Sequence, residues 1–330
     1  MTASNYKIAV VNSSSFGQIF KEHWTKLSEF GEVTRFMLPT DIDGKSLAEK
    51  LHGYNIIIAS VTPMFNKEFF DNKDELLLIS RHGIGYNNVD LEAAKEHGTL
   101  VSIVSPLVER NAVAENVFAN LLALVRQTTE SSQAIKHDHY EDRAKYMGNQ
   151  LSGKTFGVIG AGNIGSRVAE LFSVFGGQVL IADPNPQAPE GWLEDTNVQL
   201  VPLEELLAKS DYISLNASLN EDNRHMINEK TLSITKQGAY FVNNGRGALI
   251  DEEAMLAAVE SGHIAGYSSD TAEVEPIRAD HPFLRNPHIL MTPHTSAYTY
   301  ECLEGMGLKC LADVAAVIDG KLPERELTTA

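Results

Sequence analysis

Short apolar runs alternate with longer amphipathic stretches along almost the whole chain, the pattern of an α/β protein with mainly parallel sheets. In the first third the expected strands are 7–11, 55–59, 76–79 and 100–104. Helices are expected between them at 18–30, 45–51 and 91–97, with Gly31, Gly53 and Gly98 in the stop positions. Ser105-Pro106 then breaks the pattern, and one long amphipathic run follows at 108–139; a proline just after a strand is a natural hinge between domains. A second alternation begins at Lys154, with strands expected at 155–159, 178–182, 212–215, 239–243, 264–267 and 288–292. The stretch 299–319 reads as one helix closed by Gly320. The chain shows no internal repeat and no low-complexity segment.

Its 330 residues correspond to two domains of about 150 residues each. A content of 43% hydrophobic and 22% charged residues excludes a disordered chain. The net charge of −17 repels phosphate backbones and so argues against nucleic acid or an anionic membrane as the main partner. The most apolar stretches, such as 117–125, fall far short of the roughly 20 residues that a membrane span needs. The polar N-terminus lacks a basic-then-apolar signal pattern, which makes the cytoplasm the expected compartment. Cys302 and Cys310 would stand about 12 Å apart along one helix, too far for a disulfide and as expected of two reduced thiols.

Directly after the strand at 155–159 comes G-A-G-N-I-G, Gly160 to Gly165, followed by a helix opening S-R-V-A-E-L-F. The three glycines Gly160, Gly162 and Gly165 meet three demands of a dinucleotide turn: a tight bend, close approach of backbone to a pyrophosphate, and close packing of helix on strand. The next strand ends at Asp183, 18 residues beyond Gly165, where a carboxylate accepts the adenosine ribose hydroxyls. Asp183 also repels a 2′-phosphate, and the following Pro184-Asn185-Pro186 supplies no cation to bind one, so NAD is expected rather than NADP.

Three more stretches set a reactive side chain just past an expected strand, the edge where open α/β sheets bind ligands: N-N-G-R-G at 243–247, D-T-A-E-V-E-P at 270–276 and T-P-H-T at 292–295. Together with the glycine turn and R-H-G-I-G-Y-N-N-V-D from Arg81, they stand in one order over nearly the whole chain. In these five motifs the sequence resembles the D-isomer-specific 2-hydroxyacid dehydrogenases. The resemblance implies two doubly wound parallel-sheet α/β domains, a Rossmann NAD-binding domain at 105–297 inserted into a flavodoxin-like substrate domain made of 1–104 and 298–330.

It also implies catalytic roles for Arg246, Glu275 and His294, and the residue chemistry agrees. Moving a hydride between C2 of a 2-hydroxy acid and NAD requires a proton to leave or join the C2 oxygen, a task suited to an imidazole. A carboxylate beside that imidazole, Glu275, raises its pKa. Arg246 offers a planar fork for the substrate carboxylate and a positive charge for the C2 oxygen. Further cofactor-binding residues implied are Asn163, Ile164, Ala217, Ser218, Asn223, Asn244, Gly245 and Asp270, the last near the nicotinamide carboxamide. Ile84 and Gly85 match backbone amides that grip the substrate carboxylate. Met64, Phe65, Ala297 and Tyr298 are expected to line a side-chain pocket for 2-keto acids larger than pyruvate. No metal is implied.

The chain departs from the family pattern in three places. Leu215-Asn216-Ala217-Ser218 replaces the L-H-V-P of many relatives, Asn87 stands where Asp is common, and the loop 60–65 lacks the arginine with which phosphoglycerate-type relatives hold a phosphate. Formate-type relatives carry Gln in place of Glu275. The expected function is therefore NAD-dependent interconversion of a non-phosphorylated 2-keto acid and its D-2-hydroxy acid. The alternatives are a glyoxylate/hydroxypyruvate reductase, a phosphoglycerate dehydrogenase-like enzyme, or, in another class, a non-catalytic NADH-sensing binding protein. The resemblance further implies a homodimer formed through the cofactor domain. The apolar helix stretch 117–125 fits either that interface or an intrachain core.

Overall fold

Runs such as Ile56-Ile57-Ile58 carry apolar side chains at successive positions, so both faces of the strand they form must be covered. A computed structural model, which describes residues 6–185 and 197–329, shows how that is done. The strands are β1 (Lys7–Val11), β2 (Glu32–Phe36), β3 (Ile56–Ala59), β4 (Leu78–Arg81), β5 (Leu100–Ser102), β6 (Phe156–Ile159), β7 (Val179–Ala182), β8 (Val198–Leu200), β9 (Tyr212–Leu215), β10 (Ala239–Asn243), β11 (Ile264–Ser269) and β12 (Ile289–Met291). The α-helices are α1 (Lys21–Phe30), α2 (Gly44–Lys50), α3 (Lys67–Asn72), α4 (Leu91–Glu96), α5 (Pro106–Val125), α6 (Thr128–Lys136), α7 (Asn163–Ser173), α8 (Leu203–Lys209), α9 (Glu229–Ser233), α10 (Glu252–Glu260) and α11 (Tyr300–Ile318). The chain divides into two units, Met1–Glu109 with Tyr298–Ala330, and Arg110–Ala297.

In the first unit a parallel sheet has the order β2-β1-β3-β4-β5, that of a flavodoxin-like doubly wound fold. Alternate residues of its central strands face opposite layers. Ile8, Val10, Ile56 and Ile58 pack with Leu27 of α1 and Cys310, Leu311 and Val314 of α11. Ala9, Val11, Ile57 and Ala59 pack with Leu47 of α2, Phe69 and Phe70 of α3, and Ala93 and Ala94 of α4. Inside this unit Asp313 accepts hydrogen bonds from the hydroxyls of Ser80 and Ser102 and pairs with Lys309 one turn earlier, so a buried carboxylate is fully partnered. Both cysteines are buried free thiols, and burial pushes Cys302 up to about 12 and Cys310 up to about 11.

In the second unit the parallel sheet runs β12-β11-β10-β9-β6-β7-β8, a Rossmann order with an added outer strand. Val117, Leu121 and Val125 of α5 and Val168, Ala169 and Phe172 of α7 cover one face. Leu206 and Leu207 of α8, Leu232 of α9, and Met255 and Val259 of α10 cover the other. The apolar stretch of α5 is thus largely an intrachain core. The strand order reverses between β6 and β9, and the glycine turn and Ala217 follow these two strands. Among the described residues no helix is long and apolar enough to cross a membrane.

Several elements differ from expectation for local reasons. The run 108–139 is two helices, because Gln127 between them has a left-handed backbone with φ 50°. Pro106 opens α5 as its first residue, a position where the missing N–H costs nothing. β2 and β8, both edge strands, and the six-residue α3 were not expected from the pattern. Gly31 does follow α1, but with an extended backbone (φ 171°); it is small because a Cβ there would lie 2.1 Å from the Tyr6 carbonyl oxygen. Gly98 has φ 70° and open space around it.

These two glycines make a paired test. Gly31→Ala should lower the unfolding free energy by about 1–3 kcal/mol through backbone displacement, and Gly98→Ala by about 1 kcal/mol through left-handed strain alone. Urea denaturation of both variants measures the difference, and equal losses would refute the steric account of Gly31.

Candidate active site

The glycine turn joins β6 to α7. Gly160 has φ 84°, and a Cβ on it would meet the Ala217 backbone at 2.6 Å; one on Gly165 would meet the Gly160 carbonyl oxygen at 1.8 Å. These two positions are glycine because the protein itself leaves no room. Gly162 is different, with nothing within 4 Å of its Cβ position and an ordinary φ of −73°. Its bareness serves an approach from outside, above the first N–H groups of α7 at Asn163 and Ile164. Asp183 at the end of β7 accepts from the Ala161 N–H at 2.6 Å and the Asn185 N–H at 2.7 Å, so it braces the turn while each oxygen keeps a second lone pair. Pro186 lies outside the described residues. The side-chain oxygens of Asn216 and Asn244, just past β9 and β10, are buried without a hydrogen-bond partner. A bare glycine, a helix N-terminus, a carboxylate with spare lone pairs and two orphan acceptors together fit a dinucleotide.

β10 ends in the N-N-G-R-G loop. The Asn243 side chain accepts from the Gly245 N–H and donates to the Arg246 carbonyl, closing a tight loop that presents the Arg246 side chain. Asn244 donates to Asn116 on α5 at 2.9 Å. A Cβ at Gly247 would lie 2.0 Å from the Ala272 carbonyl carbon, so only glycine lets this loop and the D-T-A-E-V-E-P loop touch backbone to backbone. That contact brings Arg246 and Glu275 into one electrostatic cluster with His294.

Asp270, which follows β11, is 1% exposed. Its carboxylate accepts from the Thr292 hydroxyl, from the Thr295 N–H at 2.9 Å and from the Ser296 N–H at 2.7 Å. These bonds straddle His294, whose backbone sits in the left-handed region at φ 54°. The His294 Nδ1 then meets Glu275 Oε2 at 2.8 Å, and the other Glu275 oxygen accepts from the Ala272 N–H at 3.1 Å. Side-chain exposures of 35% for His294 and 32% for Glu275 leave both reachable. Burial works against charge on His294, but the hydrogen bond to Glu275 and the negative charges of Glu275 and Asp270 outweigh it, and Arg246 only partly offsets them; its pKa is raised above 6.5. Burial likewise opposes charge on Glu275, yet His294, the Ala272 N–H and Arg246 hold its carboxyl below the usual carboxylate value of 4.5. The two shifts oppose each other, as in an acid/base unit.

Asp270 therefore has its carboxylate bonded to both sides of the His294 loop. Asn223 is also used internally: its side chain accepts from the Asn220 N–H and donates to the Ser218 carbonyl, bracing the loop that carries Ala217 and Ser218. Phe65 is 0% exposed, packed in the core against Phe69, and so does not line a side-chain pocket. Met64 and Tyr298 are exposed.

In the first unit, Ile84 and Gly85 lie in the loop after β4. Arg81, which heads the R-H-G-I-G motif and is 1% exposed, donates through Nε to the Gly85 carbonyl at 2.8 Å and through Nη1 to the Ala59 carbonyl. The Ile84 N–H donates to Glu109 at 2.9 Å. Asn243, Gly247, Arg81 and Glu109 are contributors that sequence reasoning missed. Asn243 and Gly247 carried a signal as members of N-N-G-R-G and Arg81 as the head of R-H-G-I-G, whereas Glu109 carried none. Among the described residues no group of His, Cys, Asp or Glu side chains could hold a metal ion.

Residues 118–296 match the family described as "D-isomer specific 2-hydroxyacid dehydrogenase, NAD binding domain". The chain is 32% identical over 299 residues to a D-3-phosphoglycerate dehydrogenase of Methanocaldococcus jannaschii, a match that covers 90% of this chain and 56% of that protein; the chain spans about half the length of that relative. It is 31% identical over 304 residues to a glyoxylate reductase of Thermococcus litoralis, covering 90% of each. Among solved structures it is similar to a glyoxylate reductase from Paecilomyes thermophila, with a TM-score of 0.82, 30% identity and 99% of each chain covered.

If Asp270 holds the histidine loop, Asp270→Asn sets an amide donor against N–H donors. Stability should fall by about 2–3 kcal/mol, and the His294 pKa should drop. Urea unfolding and a pH titration of the His294 ring by NMR check both. An unchanged His294 titration would show that Asp270 does not set this geometry.

Proposed function

The chain belongs to the D-isomer-specific 2-hydroxyacid dehydrogenases, and we propose that it is an NAD-dependent enzyme of that family acting on a non-phosphorylated 2-keto acid and the corresponding D-2-hydroxy acid. The observation that carries this reading is the His294–Glu275 pair at 2.8 Å, with Arg246 charged beside it. A purely NADH-sensing protein has no use for an imidazole whose pKa is raised by a dedicated carboxylate.

The dinucleotide is held by the turn Gly160–Gly165, with Asn163 and Ile164 at the pyrophosphate and Asp183 at the ribose. Ala217, Ser218, Asn244 and Gly245 border it. When bound, NADH supplies the hydride that reduces C2 of the keto acid. His294, fixed through Nδ1 by Glu275, turns Nε2 to the substrate and delivers a proton to the C2 oxygen; in the oxidative direction it takes that proton back. Arg246 stabilises the negative charge that develops on this oxygen. The amides of Ile84 and Gly85 take the substrate carboxylate.

The loop 60–65 has no Lys or Arg, which supports a substrate without phosphate. A glyoxylate or hydroxypyruvate reductase is the second reading, favoured by relatives named glyoxylate reductase that match 90% or more of this chain. The protein also forms a homodimer in this proposal. Ile135, Tyr140 and Met147, large apolar side chains of the second unit, are exposed and offer a face to cover. Sedimentation at micromolar concentration should give twice the chain mass, and a monomer would remove this part of the reading.

A screen of NADH oxidation over glyoxylate, pyruvate, hydroxypyruvate, 2-ketobutyrate and phenylpyruvate, with chiral analysis of the product, tests the function. Turnover of none of them would sink it. The pH profile tests the mechanism. Reduction needs His294 protonated, so kcat/KM for the keto acid should hold at low pH and fall as pH rises through a pKa above 6.5. In Glu275→Gln the larger raising influence is gone, and only Asp270 still raises the His294 pKa against burial and Arg246. The falling limb should move to lower pH, and activity on that limb should drop about tenfold for each pH unit moved. An unmoved limb in the variant would show that Glu275 does not tune His294.

A further inference from the structure

The Ile84 amide, which the proposed function gives to the substrate carboxylate, already holds a carboxylate of the chain itself. Its N–H donates to Glu109 Oε1 at 2.9 Å. The loop that presents this amide is fixed on several sides. Arg81 grips the Gly85 carbonyl, the Val104 N–H donates to the Gly83 carbonyl at 3.2 Å, and the His82 N–H donates to the Ala59 carbonyl at 2.9 Å. The amide therefore stays in place, and what meets it is decided by what approaches it.

Glu109 stands in the first turn of α5, where the helix N-terminus favours negative charge. Its Oε1 and the Arg81 Nη2 both lie near Gly83, 3.8 and 3.7 Å from where a Cβ at that position would be. Glu109 is half-buried with several rotatable bonds, whereas the loop is held through its backbone. One N–H serves one strong acceptor, and two carboxylates brought to the same N–H repel each other.

Resting on the proposed carboxylate role of this amide, we propose that Glu109 is an internal competitor for the substrate carboxylate and a determinant of substrate affinity. The substrate gains the Ile84 N–H only when Glu109 withdraws. The apparent affinity is then lowered by the fraction of molecules in which the amide is open.

The test compares the full-length wild type with Glu109→Gln and Glu109→Ala. In the ligand-free proteins labelled with ¹⁵N-isoleucine, the Ile84 amide proton should lie downfield in the wild type and move upfield in Glu109→Ala. Addition of oxamate with NADH should return it downfield. In steady state, KM for glyoxylate and pyruvate should fall in Glu109→Ala, by about tenfold if the contact is closed nine-tenths of the time. Glu109→Gln, which keeps a neutral acceptor, should lie between. An Ile84 resonance indifferent to Glu109→Ala overturns the proposal, as does a KM that is equal or higher in that variant. A Glu109→Gln effect as large as that of Glu109→Ala assigns the result to charge alone and also overturns occupancy of the N–H. If the wild type oxidises no NADH with either keto acid, the function proposed above fails, and the response of the Ile84 resonance to Glu109→Ala and to oxamate still decides this inference.

Discussion

Everything proposed for the second unit depends on one buried carboxylate. Asp270 costs free energy to desolvate, and that cost is offset only because three donors of the T-P-H-T-S segment converge on it. Those donors come from residues on both sides of His294, so the peptide between them has little freedom. A left-handed backbone at a non-glycine residue costs on the order of 1–2 kcal/mol, and it persists where the surroundings over-determine it. Here the left-handed turn places the His294 ring against Glu275. Freed from Asp270, the segment would relax toward ordinary φ and the ring would lose its carboxylate, its raised pKa and its orientation together.

The same dependence explains how much of the molecule could be read from the sequence. The central strands were legible because β1, β3, β6, β9 and β10 are covered on both faces and so appear as unbroken apolar runs. β2 was not, since it is an edge strand written E-V-T-R-F, with charges at Glu32 and Arg35 and a half-exposed surface. β8 is a three-residue edge strand with two exposed positions. The strand expected at 76–79 lies instead at Leu78–Arg81, because Ser80 and Arg81 are buried polar residues whose partners, Asp313 and the Gly85 carbonyl, are remote in sequence or supplied by a backbone turn. Apolarity could not announce them.

The site divides in the same way. Spacing marked the glycine turn and the three stretches that follow strands at the sheet edge where ligands bind, and the family resemblance implied which residues in them, Arg246, Glu275 and His294, carry the chemistry. What spacing could not show is how a side chain is spent. The resemblance implies cofactor contacts for Asp270 and Asn223, and the fold gives both a further task that no motif announces, bracing a loop. Phe65 reads as pocket lining from its place in a loop after β3, yet its ring is drawn into the core by Phe69. Such outcomes depend on neighbours brought close only by folding, and a linear pattern does not contain them.

The acidic composition acquires a structural meaning from these contacts. With 44 acidic against 27 basic residues, an anionic substrate meets a repelling protein unless local donors override the field. The chain supplies such donors as backbone N–H groups at strand ends, and its own carboxylates occupy them: Asp183 at Ala161, Asp270 at Thr295 and Ser296, and Glu109 at Ile84. Burial separates their roles. Asp270, almost wholly removed from water, would leave several donors unsatisfied if it moved, so it is fixed. Asp183 and Glu109 are only partly buried, and water can take over the groups they release. In the proposed mechanism, an amide that binds an anion is thus kept hydrogen-bonded until the ligand arrives. The consequence is a trade: the folded state avoids orphan N–H groups, and the ligand must displace a carboxylate that is tethered and always present.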